Sequence, residues 1–220
     1  RFAFANIVAF GVATWIGKAW SGESWRACFP LGRVPSALTG PFITTTFGML
    51  ITAGAVAIAS IAIVTNSPFK DLATPTALPK GGLIATLFLL SVVAPLTEEF
   101  FFRGLVLGGF LRRYSQRTAL LASSALFGVM HLTPLQILPT FLIGMLLGWW
   151  RIKTGGILLP VLGHAIHNGF LGMLFVAGTS AGQTETGQPK LQLLPALGGA
   201  AFALVIGLTT LIGGMNRARE

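Results

Sequence analysis

An all-α, polytopic membrane helix bundle is the fold class this sequence predicts, on three observations. The chain is 53% hydrophobic and 10% charged, with a mean hydropathy of +0.78, whereas soluble domains carry about 25% charged residues. Its apolar residues gather into seven runs, about 2–17, 42–65, 81–111, 118–132, 136–150, 156–178 and 193–214. A spanning helix needs roughly 20 apolar residues, fewer where flanking side chains snorkel. The 15 lysines and arginines fall almost entirely in the short gaps between runs. The net charge of +9 is therefore a topological signal and excludes a nucleic-acid-binding stripe as its reading.

The first run lacks the small-residue cleavage site of a signal peptide and reads as a membrane helix. The third run is long, and Pro95 divides it into an apolar half and a half carrying Glu98 and Glu99. A proline there removes a backbone donor, so a kink or re-entrant break is expected. Runs four and five are short and meet at Thr133-Pro134, which predicts a tight helical hairpin. Segments 18–41 and 66–80 are rich in Pro, Gly and Ser and read as loops or interfacial segments. Segment 179–192 is the most polar stretch, and no internal repeat is visible. The single cysteine, Cys28, can form no intrachain disulfide and belongs to no structural zinc spacing.

Seven spans place Lys18, Arg26, Arg33, Arg112, Arg113, Arg117, Arg151, Lys153, Arg217 and Arg219 on one side. Arg1, Lys70, Lys80 and Lys190 fall on the other. The richer side is expected to be cytoplasmic, and with it the C-terminus. Residue 1 then starts outside, and because no signal peptide accompanies that start, a further helix is expected before it, making eight. Residues 1–220 read as one integral membrane domain with a polar core over about 90–175.

That polar core carries the chemistry. Two of the six acidic residues, Glu98 and Glu99, sit in an apolar run with Arg103 close behind. Charges at bilayer depth are costly unless paired or hydrated, and they mark function more often than packing. Glu99 and Arg103 have the favourable i, i+4 ion-pair spacing, which leaves Glu98, about 100° away on the helix, as the second carboxylate. All three histidines, His131, His164 and His167, also lie in apolar runs. His131 shares a helix face with Phe127, and His164 shares one with Asn168, whereas His167 is offset by three from His164. A lone buried histidine is more often a helix–helix hydrogen bonder than a catalyst. Three of them with an amide, two carboxylates and an Arg predict a wet polar pocket within the bundle.

Glu98 is suited to act as a general base on water, because an imidazole near a desolvated carboxyl can share its proton. His164 and Asn168 can donate to a developing oxyanion. No serine or cysteine stands in a comparably charged setting. Ser91, Ser123 and Ser124 read as small-residue helix contacts. The chemistry expected is hydrolysis by an activated water. His164 sits nearer its helix's cytoplasmic end than Glu98 or His131 does, so tilts or kinks must level them.

Glu-Glu-x-x-x-Arg over 98–103, Phe-x-x-x-His over 127–131 and His-x-x-x-Asn over 164–168, in that order on successive helices, resemble the CPBP family. Its members are the CAAX-protease and bacteriocin-processing intramembrane proteases, also called Abi proteins. Arg-Gly after the triple Phe, and Gly-Trp-Trp and Gly-Gly-Ile-Leu-Leu-Pro before His164, also look like family sequence. The resemblance covers about 90–175 and implies an eight-helix endopeptidase. In it Glu98 and His131 would activate water, His164 and Asn168 would stabilise the oxyanion, and Glu99 and Arg103 would brace the site. His167 is outside the pattern and reads as a supporting or packing residue.

The family has been described both as glutamate-type and as zinc proteases. Glu98, His131 and His164 would be the zinc ligands, but no His-Glu-x-x-His helix supports a metal locally. Direct Glu/His activation is the favoured reading, with no cofactor required. The implied substrate is a peptide or membrane protein, lipidated if processing is of the CAAX type, in a prokaryotic cytoplasmic membrane. The rival readings are a non-catalytic scaffold or bacteriocin-immunity protein, and an ion-relaying transporter, which the missing inverted repeat disfavours.

Overall fold

A computed structural model describes residues 2–65, 83–131, 134–181 and 193–218. No strand occurs among them, and each of the seven apolar runs is helical over most of its described residues, so the all-α expectation holds. The helices are α1 (Phe2–Ser21), the short α2 (Trp25–Cys28), α3 (Thr39–Thr65), α4 (83–111), α5 (Gln116–Val129), α6 (Pro134–Thr154), α7 (Leu158–Ala181) and α8 (Leu193–Arg217). Two stretches, Ser36–Ser60 and Leu135–Thr154, are long and apolar enough to cross a membrane by length and hydropathy. Linker 66–80, residues 182–192 of the polar segment, and Thr133 at the hairpin joint lie outside the described residues.

Helix α4 does not break at Pro95. It runs continuously through α-helical Leu83–Phe88, π-helical Leu89–Val93, α-helical Ala94–Glu99, π-helical Phe100–Val106 and α-helical Leu107–Leu111. The missing amide and the ring of a proline disturb the turn before it. Here that turn is widened to a π segment instead of opening the helix, which removes the re-entrant break from the two forms expected, a kink or a break. A π turn passes hydrogen bonds five residues back and is found mostly at functional positions.

The chain falls into two compact units. The first comprises Arg1–Val34, Leu78–Ser123 and Leu147–Ser180. In it α1 packs on the second half of α4, with the ring of Phe10 5.5 Å from that of Phe101 and 5.4 Å from that of Phe102. Phe29 stacks on Phe100 at 5.1 Å. Cys28, Phe29 and Ile157 form a buried apolar cluster, which gives the lone cysteine a packing role.

The start of α7 is tied to the loop after α2, where Ile157 N–H donates to the Pro30 carbonyl at 2.8 Å and Leu158 N–H to the Leu31 carbonyl at 3.3 Å. These bonds satisfy amides that a helix N-terminus would otherwise leave orphaned. They demand backbone-to-backbone approach. A Cβ at Gly156 would collide with the Leu31 carbonyl and with the backbone of Gly32, which itself has φ +77°. Gly156→Ala is therefore expected to destabilise the protein by about 1–3 kcal/mol, the cost of overpacking a site with no flexible neighbour. Thermal unfolding in detergent checks this, and an unchanged midpoint would show that the loop can retreat.

The second unit comprises Pro35–Ala77, Ser124–Leu146 and Ala181–Glu220. Its main feature is the close pairing of α3 with α8. Gly207 leaves room for Thr52, and Gly214 for Thr45, whose nearest side-chain atom is 2.8 Å from the position a Cβ would take. Small residues that let backbones approach are the usual basis of helix association in membranes. The predicted hairpin is present in the same unit. A Cβ on Gly128 would lie 2.7 Å from the Ile137 carbonyl, and one on Gly144 would lie 3.2 Å from Ser124. Ser124 is thus the small-residue contact its sequence setting suggested.

Candidate functional site

The polar residues of the first unit are brought together by α4 and α7. His164 on α7 lies against Glu98 and Glu99. Asn168, one turn on, reaches Leu90, and Gly169 faces Ser91. Contacts step forward along α7 as they step backward along α4, so the two helices cross antiparallel. That arrangement levels His164 with the glutamate pair.

Glu99 is the centre of the cluster and is fully buried. Its Oε2 lies 3.1 Å from Arg103 Nε, and its Oε1 lies 2.8 Å from His164 Nδ1. Both partners are buried as well, with relative exposures of 1% for Arg103 and 4% for His164. The i, i+4 ion pair expected from spacing is present. The link from the same carboxylate to His164 was not expected, because spacing on one helix says nothing about a neighbour's register. A carboxylate accepts, so Nδ1 of His164 carries the hydrogen, and Nε2 is left as the functional nitrogen. Nε2 lies 3.9 Å from Glu98 Oε2. The Glu98 side chain retains 13% exposure against none for Glu99, so it is the more accessible carboxylate.

Asn168 donates from Nδ2 to the Leu90 carbonyl at 3.0 Å, which engages one of its two amide hydrogens. His167 is 3% exposed, and its Nδ1 has no hydrogen-bond partner among the described residues. His131, in the second unit, is half-buried at the end of α5. Its Nδ1 lies 2.9 Å from the Phe127 carbonyl, and its ring meets that of Phe127 edge-on at 5.0 Å. The carbonyl again fixes the hydrogen on Nδ1 and presents Nε2. The Phe127–His131 spacing is thus a tautomer lock as well as a shared face.

Both π turns of α4 carry an extra donor from another helix. Ala94 N–H bonds five back to the Leu89 carbonyl and so passes over that of Leu90, the group Asn168 reaches. Leu107 N–H bonds five back to the Phe102 carbonyl and passes over that of Arg103, to which Arg151 Nε donates at 3.2 Å. Arg151 is the residue the sequence reading missed. Counted there as a cytoplasmic loop charge, it lies inside α6 with its head turned onto α4. The only sequence signal was an arginine directly abutting the apolar Trp149-Trp150 pair.

For zinc, Glu98 and His164 offer two donors. Among the described residues no three His, Cys, Asp or Glu side chains group as a metal site. No step is routed through a metal.

A family model described as "Type II CAAX prenyl endopeptidase Rce1-like" matches residues 80–170, which hold all three motifs. The matched segment is similar to that family over 80–170, which supports the resemblance to the CPBP proteases seen in the motifs. An uncharacterised 24.3 kDa protein of Escherichia coli is 40% identical over 98 residues, 42% of this chain. The match covers 45% of that relative, so it spans just under half of the relative's length. No solved structure gives a significant match. Within the matched segment lie Glu98, Glu99, Arg103, His131, Arg151, His164, His167 and Asn168, so the whole polar constellation falls inside the match.

Proposed function

We propose that this chain is an intramembrane endopeptidase that hydrolyses a peptide bond with a water activated by Glu98. The observation that carries the reading is the chain Arg103–Glu99–His164–Glu98. A fully buried carboxylate there orients one imidazole nitrogen and leaves the other beside a more accessible carboxylate. Glu98 takes a proton from water as the water oxygen attacks the substrate carbonyl carbon. The family resemblance assigns His131, whose Nδ1–H is held by the Phe127 carbonyl, a share in activating that water. The carbonyl oxygen becomes an oxyanion, to which protonated His164 donates from Nε2 and Asn168 donates its second amide hydrogen. Donors fixed before the reaction are the effective ones. The C–N bond then breaks as the leaving amine takes the proton from Glu98, and a carboxylic acid and an amine are released, the acid's proton passing on to the amine or to water.

The substrate class is a membrane-associated protein or peptide, with prenylated CAAX termini as the form the family description suggests. The setting is a prokaryotic cytoplasmic membrane, with seven spans here and the C-terminus inside. His167 fits best as a supporting residue, since among the described residues its Nδ1 makes no bond that would orient it towards a substrate. The scaffold or immunity reading is less well supported, because partner binding alone does not require the Glu99-oriented imidazole.

The test is cleavage of quenched fluorescent peptides, prenylated and unprenylated, by purified protein in detergent or vesicles. Wild type is expected to cleave, and His164→Ala and His131→Ala each to lose about 10²-fold or more in kcat while remaining folded, His164→Ala with a lowered unfolding midpoint. Activity that survives a strong chelator supports direct Glu/His activation, and activity lost to it would point to the zinc version. Equal activity in wild type and both variants would sink the enzyme reading.

A further inference from the structure

We propose that Arg151 is a positioning residue of the site, acting through the main chain of α4 rather than on substrate; the inference rests on the peptidase reading above. The two π turns of α4 are built alike. Each skips a carbonyl, and each skipped carbonyl accepts a side-chain donor from a different helix, Leu90 from Asn168 and Arg103 from Arg151. Between the two turns lies the single α-helical segment Ala94–Glu99, which ends on the glutamate pair. A π turn rotates everything beyond it relative to a regular helix. The angular position of Arg103 with respect to Glu99, and through Glu99 of His164, therefore depends on the second turn staying π. Reverting to α geometry would return the Leu107 N–H to the Arg103 carbonyl and displace the Arg151 head. The guanidinium of Arg151 thus favours the π form in the same way that the amide of Asn168 favours the first.

Arginine suits this task where lysine does not. The donor is Nε, set back on the stem of a rigid planar group, so it reaches the carbonyl at 3.2 Å from a fixed direction. A lysine ammonium keeps the charge but lies beyond that position on a flexible stem.

The test compares Arg151→Gln and Arg151→Lys with Lys153→Gln, a control that removes an exposed charge two residues along the same helix. Two readouts are needed. In kinetics, both Arg151 variants are expected to lose roughly 10–100-fold in kcat, with KM within about twofold, since displacements of about 1 Å in a positioned group cost on that order. The second readout does not depend on activity. In protein labelled with ¹⁵N-histidine, the Nδ1–H of His164 held by Glu99 should give a downfield proton resonance. That resonance should shift or broaden in both Arg151 variants, stay put in Lys153→Gln, and leave the His131 resonance unchanged in all. If wild type proves to have no peptidase activity, the His164 resonance still decides whether Arg151 sets the site. An unaltered His164 resonance in folded Arg151→Lys overturns the proposal, as does full recovery of kcat by Lys. Arg151→Gln that unfolds while Arg151→Lys keeps wild-type kcat and spectrum would make Arg151 a stability residue only.

Discussion

Glu98→Gln is expected to reduce peptide cleavage by about 10³-fold or more, within the range a general base contributes, while the protein stays folded. Gln keeps the size and the acceptor oxygen of the side chain but cannot take a proton from water. Glu98 lies 3.9 Å from His164 Nε2 with a side chain 13% exposed, against 2.8 Å and no exposure for Glu99, so Glu99 carries the closer tie between α4 and α7. The loss should fall in kcat rather than KM, because the proton moves only in the transition state. Unfolding midpoints of wild type and Glu98→Gln should agree within a degree or two. A variant that keeps a tenth or more of the wild-type kcat would exclude Glu98 as the base and transfer that role to His131.

How much of this was legible in the sequence follows from which distances are local. Helix periodicity and apolar run length placed all seven long helices, because burial in lipid or protein selects the same residues that the pattern shows. The Glu99–Arg103 pair was legible because both ends lie on one helix at i, i+4. The Phe127–His131 face was legible for the same reason. What spacing could not show was register between helices. Glu99 was assigned to Arg103 alone, yet its second oxygen holds His164, 65 residues away in sequence. Pro95 marked a disturbance correctly but not its form, since a proline can be absorbed by a π turn when another helix supplies a donor for the skipped carbonyl. Arg151 was hidden by the rule that counts terminal cations as topology signals, a rule blind to which way a long side chain bends.

Glu99→Gln is expected to cost about 3–5 kcal/mol of stability, the largest single loss in this chain, and to abolish activity as well. The substitution leaves Arg103, 1% exposed, with its charge but without the opposing carboxylate at 3.1 Å. Taking a charge out of water is tolerable only with such compensation, so much of the penalty is the loss of the nearest opposing charge to a buried guanidinium. The double variant Glu99→Leu with Arg103→Met separates the two roles. With both charges gone, most of the stability should return. The remaining deficit should be about 1–3 kcal/mol, the cost of a buried His164 Nδ1–H that has lost its acceptor. Activity should not return, because no apolar side chain can fix the hydrogen on Nδ1 and leave Nε2 facing Glu98. Unfolding in mixed micelles and peptide cleavage, measured on the same preparations, give both numbers. A double variant as unstable as the single one would show that His164, not Arg103, is the residue Glu99 chiefly stabilises. A double variant that regains cleavage would show that the Glu99–His164 bond is dispensable and that Glu98 alone orients the imidazole.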